Sequence, residues 1–248
     1  LQDDMLHLLQ TLIRVPTLAG AEKGAQDIVA SIMRDLDMEI DVWDPADESL
    51  LNHPAYVPVD MDYHNRPNVV GILKGSGGGQ SLILNGHVDV VPVGDESRWV
   101  HSPWSGDYQD GKVYGRGSAD MKAGCVVNLM VVKALKEAGI RLKGDLILQS
   151  VVDEENGGNG TLACILRGYT GDGMVISEPS GDFAMGIAQR GAQFFRLKVP
   201  GVEGPIEWQY ELVNPIGKAF QVFQAVEAYS IWRESTISHP LYDPFYKT

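Results

Sequence analysis

The stretch GDLILQSVVDEENGGNGTLACILRG, residues 144–168, reads as a strand, an acidic turn and a helix in one run. Residues 144–152 form an apolar run of strand length, and residues 159–168 carry the spacing of a short helix. Between them Asp153, Glu154 and Glu155 stand side by side, followed by glycines. A chain leaving a sheet ordinarily turns on Asn, Gly or a single Asp. Three adjacent carboxylates repel one another, so the run calls for a cation or a chemical task to offset that repulsion.

Working outward, the same alternation recurs. Residues 3–15 and 21–38 have apolar residues at i, i+3 and i+4 and predict two helices, the first stopped by Pro16. Residues 39–44 alternate as a strand. Residues 68–75 and 81–89 predict two more strands joined by the glycine-rich turn at residues 76–79. A helix is expected over residues 121–138 and a buried strand over 173–177. Strands alternating with helices predict an α/β fold, a mixed sheet covered by helices on both faces.

The pattern changes after residue 188. Residues 191–199 alternate like a strand, an irregular stretch runs through Tyr210, and residues 214–235 read as a long helix opened by an Asn–Pro pair. The expected division is a catalytic domain over residues 1–188 and the start of a smaller α/β lid or dimerisation domain over 189–248.

Composition narrows the function. A formal net charge of −13 argues against a nucleic-acid partner, because binding phosphate needs a basic face. No apolar run approaches the roughly 20 residues that span a bilayer, and the start shows no basic n-region of a signal peptide. Cys125 and Cys164 lie in apolar helical stretches and read as buried thiols in a reducing, cytoplasmic setting.

Four segments place ligand-type side chains just beyond strands or at a helix start: His87 and Asp89 in NGHVDVVP, Asp120 in GRGSADMKAG, the pair Glu154 and Glu155, and Glu178 in SEPSG. Taken singly, a histidine after a strand is ordinarily structural, an Asp before a helix is ordinarily an N-cap, and acids at strand ends are ordinarily solvated. Gathered at one end of an α/β sheet, where ligands bind, they are poorly explained as independent accidents. One histidine with several carboxylates suits Zn²⁺, Mn²⁺ or Co²⁺.

These motifs, in this order and spacing, resemble the dizinc amidohydrolases: acetylornithine deacetylase, succinyl-diaminopimelate desuccinylase, aminoacylase and the glutamate carboxypeptidases. The resemblance implies two zinc ions per complete site. His87 and Glu178 would bind one, Glu155 the other, and Asp120 would bridge both, with a cis peptide bond after it. Asp89 would orient His87, and Glu154 would be the general base of amide hydrolysis by a water held between the metals. On an extended chain Glu154 and Glu155 would point to opposite sides. Asp153 has no assigned role and is expected to be a solvated acid or one standing behind the ligands.

The expected substrate is an N-acylated amino acid or small amine, with a peptide or a formylated aminopyrimidine as alternatives and a non-catalytic binding or dimerisation protein as the rival class. The resemblance also implies a homodimer formed through a complete lid. Two departures stand out. Pro205 occupies the place of the family's lid histidine, and the last histidine ligand of the second zinc has no counterpart here. The reading favours a piece of a longer polypeptide.

Overall fold

The computed structural model describes residues 1–181, 184–189, 191 and 195–241. The chain divides into two compact units, Leu1–Gly181 and Asp182–Thr248.

In the first unit α1 spans Gln2–Ile13 and α2 spans Lys23–Asp35. Spacing of three and four residues puts Leu8 and Leu12 of α1, and Val29 and Met33 of α2, on their buried faces. Then follow β1 (Glu39–Trp43), the single turn α3 (Glu48–Leu51), β2 (Asn68–Leu73) and β3 (Leu82–His87). A small hairpin pairs β4 (Asp107–Gln109) with β5 (Lys112–Tyr114). The unit continues with α4 (Lys122–Glu137), β6 (Leu146–Val151), the turn α5 (Glu154–Gly157), α6 (Asn159–Leu166) and β7 (Gly173–Ile176).

The five-stranded sheet has the order β1-β2-β6-β3-β7. β2 is antiparallel to both β1 and β6, whereas β3 is parallel to β6 and β7, so the sheet is mixed. Leu8, Leu12, Val29, Met33, Val126 and Leu129 of α1, α2 and α4 pack with Leu84 and Leu148 on one face. Cys164 of α6 packs with Val70, Ile83, Ile147 and Val151 on the other. Both cysteines are buried and free.

β2 and β3, consecutive in sequence, are not paired; β6 inserts between them. Two expectations need correction. β7 is a sheet edge and is not buried, with Met174, Val175 and Ile176 at 42%, 45% and 52% exposure. An apolar run of four reads the same whether or not a neighbour covers it, so its burial could not be inferred. Residues 195–199 hold no strand, and residues 192–194 of that expected element lie outside the described residues.

In the second unit Val202 and Val213 pair as an isolated antiparallel bridge, and α7 spans Pro215–Thr236. Asn214 caps α7 as expected, its side chain accepting from the Ile216 amide at 2.9 Å.

Candidate metal centre

The parallel register that sets His87 opposite Val151 brings the ends of β3 and β6 to one edge of the sheet. The loop 88–90 and the turn 153–158 therefore leave from the same place. Asp120 lies two residues before α4, joined by a cis bond to Met121, the residue at the helix start, and Glu178 follows β7. All the ligand-type residues of the four motifs meet here.

His87 is 1% exposed. Its Nδ1–H donates to the main-chain oxygen of Asp89 at 2.9 Å, so in the neutral ring the lone pair sits on Nε2. Nε2 is buried and no oxygen lies in hydrogen-bonding geometry with it. Yet Asp120 Oδ1 and Glu178 Oε1 are each 3.2 Å away and Glu154 Oε2 is 3.7 Å away. A buried lone pair facing three carboxylates from three segments is the donor set of a divalent cation. Two overlapping triads satisfy ligand spacing, His87–Glu154–Glu178 and His87–Asp120–Glu155, with donor atoms within 4.8 Å of one another. The residues present fit a bound metal.

Asp89 is tied to His87 differently from the sequence expectation. Its carboxylate lies 3.6 Å from Nδ1, and its carbonyl makes the hydrogen bond. The carboxylate instead accepts the Glu154 amide at 3.3 Å and the Glu155 amide at 3.1 Å. It couples the histidine loop to the acidic turn. That turn is the helical α5, not extended chain, so the opposite-sides argument for Glu154 and Glu155 fails. Successive helical residues diverge by about 100°, and both carboxylates reach one or other triad.

Neighbouring elements fix the remaining ligands. Ser177 donates from its hydroxyl to Asn128 Oδ1 at 2.7 Å, anchoring the residue before Glu178 to α4. Gly124 permits that approach, since a Cβ there would sit 2.2 Å from Ser177 O. Lys122 is fully buried and donates to Leu12 O and Val15 O, each at 2.9 Å, tying the start of α4 to the end of α1. Burial lowers its pKa to about 8.

Electrostatics follow from crowding. Burial opposes a charged His87 ring, but the Glu178, Asp89 and Glu154 carboxylates outweigh it and lift its pKa to about 9. Burial raises Asp89 to about 6, against the pull of His87 and the two Glu amides. Burial, then the negative charges of Glu178 and Asp120, raises Glu154 above the usual carboxylate range, although His87 pulls the other way. Glu155 is raised by burial and then by Asp120.

Of the two expectations for Asp153, a solvated acid or one standing behind the ligands, its complete burial leaves the second. Asp153 contacts Tyr63, Arg66, Asn156 and Asn159. Outside the centre, His101 stacks on Tyr114 at 4.1 Å and donates to Asp107, while Trp99 donates to Val93 O, in keeping with packing roles.

The model of peptidase family M20/M25/M40 matches residues 83–217, over half of the chain and every ligand-type residue above. The chain belongs to this family. It is 39% identical over 184 residues to N-formyl-4-amino-5-aminomethyl-2-methylpyrimidine deformylase of Bacillus subtilis, covering 72% of this chain and 39% of that protein. Succinyl-diaminopimelate desuccinylase of Rhodopseudomonas palustris is 32% identical over 224 residues, covering 86% of this chain and 54% of the relative. Human carnosine dipeptidase 1 shares the fold, with a TM-score of 0.57 at 19% identity over 71% of this chain and 38% of that one. The M20 chain thus spans between about two fifths and just over half of these relatives. Among the described residues no helix is long and apolar enough to cross a membrane.

Proposed function

We propose that this M20 chain carries the catalytic residues of a zinc-dependent amidohydrolase that removes an acyl group from a small N-acyl amine or amino acid. The observation that carries the reading is the partnerless, buried Nε2 of His87 facing Asp120, Glu154 and Glu178. His87 and Glu178 would hold one cation, Glu155 a second, and Asp120 both, with Co²⁺ or Mn²⁺ as alternatives to zinc. Bound there, a cation would supply polarisation of the amide carbonyl and a water acidic enough to ionise near neutral pH.

Glu154 is the candidate base. Its carboxylate is half-buried and its pKa is raised, which suits a group that accepts a proton and returns it. Glu154 Oε2 takes the proton from the attacking water, the acyl carbon–nitrogen bond breaks, and the same oxygen delivers the proton to the departing amine. Asp89 holds the Glu154 and Glu155 amides, so that the base keeps its distance from His87 while protons move.

Similarity to the deformylase and the desuccinylase supports a formyl or succinyl group on a small amine as the first substrates to try. A cytoplasmic location fits the two free, buried thiols, and dimerisation through the lid belongs to the same reading by family resemblance. The test is hydrolysis of N-formyl aminopyrimidine, N-succinyl diamino acid and N-acetyl amino acid substrates after zinc addition. Turnover that requires zinc and disappears in Glu154→Gln supports the proposal. Zinc-independent turnover, or unchanged turnover in that variant, overturns it.

A further inference from the structure

Beneath the Glu154–Glu155 turn lies a buried polar cluster drawn from four parts of the chain. Asp153 Oδ2 accepts from the Tyr63 hydroxyl at 2.6 Å and from Asn159 Nδ2 at 2.9 Å. Its Oδ1 accepts from Asn156 Nδ2 at 3.2 Å and from Arg66 Nη2 at 3.4 Å. Arg66 Nη2 also donates to Glu22 Oε1 at 2.7 Å, and its Nε reaches both Glu22 oxygens at 3.1 and 3.2 Å. Glu22 in turn accepts the Gly20 amide at 2.9 Å. Asn159 grips the backbone of Val57 in both directions, donating at 2.8 Å and accepting at 3.0 Å. Glu22, Arg66, Asp153 and Asn159 are each no more than 1% exposed, and Tyr63 is 3% exposed.

Asp153 also has φ of 64° and ψ of 31°, the left-handed region. Glycine would adopt that backbone at no steric cost, but glycine has no carboxylate to receive four donors. The side chain is therefore the reason for an acid here. On the opposite side of the same turn, the Asp89 carboxylate holds the Glu154 and Glu155 amides. The two glutamates are held by two aspartates: Asp89, which accepts their own amides, and Asp153, the residue before them, which is anchored in the cluster.

We propose that Asp153, held by Arg66, Tyr63 and Asn159, is a positioning residue that aims Glu154 and Glu155 at the metal centre. It touches no donor atom of the centre and acts through the direction of the turn. This inference rests on the metal-centre reading above. Supports of this kind behind metal ligands change metal affinity by about 10- to 100-fold when removed.

The test is a Co²⁺ titration of the full chain, read by the visible absorption of the bound ion, with thermal melting of the same samples. Asp153→Asn keeps shape but turns an amide donor toward other donors. It is expected to weaken Co²⁺ binding at least about tenfold and alter the spectrum. Tyr63→Phe removes one hydroxyl that contacts Asp153 and Asn159, neither of them a candidate ligand, and is expected to do the same in smaller degree. Leu129→Ala, a core change on α4, controls for destabilisation, and is expected to lower the melting point while leaving the Co²⁺ titration as in the wild type. Wild-type cobalt affinity and spectrum in Asp153→Asn and Tyr63→Phe, or an equal loss in Leu129→Ala, overturn the positioning role. Glu155→Gln separates the two claims: if it binds cobalt as the wild type does, the metal-centre reading itself fails and takes this inference with it.

Discussion

Arg66→Leu probes the buried cluster most severely. In the native chain the guanidinium makes three short contacts to Glu22, at 2.7, 3.1 and 3.2 Å, and one of 3.4 Å to Asp153. It also stands 5.1 Å from the centre of the Tyr63 ring. Leucine removes the cation that touches two carboxylates, both 0% exposed. Breaking a buried pair in this way costs about 3–5 kcal/mol, because the remaining charge cannot recover its hydration. In a unit of this size each kcal/mol lowers the melting point by roughly 2–4 °C, so a fall of about 10 °C is expected. Urea unfolding followed by far-UV circular dichroism measures it, with an unchanged slope showing that the unfolded state is comparable. Adding Glu22→Gln removes one stranded charge, so the double variant should be more stable than the sum of the two single losses by about 0.5–3 kcal/mol. A loss below about 1 kcal/mol in Arg66→Leu, as an exposed pair would give, refutes the reasoning.

Two further outcomes follow from the centre. With a pKa of about 9, the His87 ring carries a proton at neutral pH that a cation on Nε2 must displace. Zinc binding is expected to release about one proton at pH 7 and almost none at pH 10, and to weaken about tenfold per pH unit below 9; calorimetry in buffers of different ionisation enthalpy reads this directly. Gly124→Ala would place a Cβ 2.2 Å from Ser177 O, so despite alanine's better helix propensity it should cost about 1–3 kcal/mol. It should also weaken zinc binding through Glu178, as chemical unfolding and metal titration would show.

Much of the first unit was legible in its sequence because amphipathic spacing is a local property. Apolar residues at i, i+3 and i+4 announce the helices α1 and α2 without knowledge of their partners. The place of β6 between β2 and β3 was not legible, since strand pairing depends on distant residues. The ligand-type residues were legible because chemistry demands particular side chains at strand ends. Their support was not, because Glu22 and Arg66 sit in polar stretches where charges ordinarily face water, and only folding brings them, 44 residues apart, into contact. Asp153 was half-read. Its place before two glutamates drew attention, but its left-handed backbone and its four donors have no sequence signature. The αL turn at Asp153 also explains why Glu154 and Glu155 start a helical turn where the strand was expected to continue as extended chain.

In the proposed site Glu154 moves protons and Glu155 holds metal, whereas spacing alone allows either to be a ligand. The most direct test is the zinc content of Glu154→Gln and Glu155→Gln after gel filtration, with amide hydrolysis measured on the same samples. Glu154→Gln is expected to keep its zinc and lose hydrolysis by about 10²- to 10⁴-fold, while Glu155→Gln loses zinc. Loss of zinc in Glu154→Gln, or full turnover with zinc retained, would contradict that division.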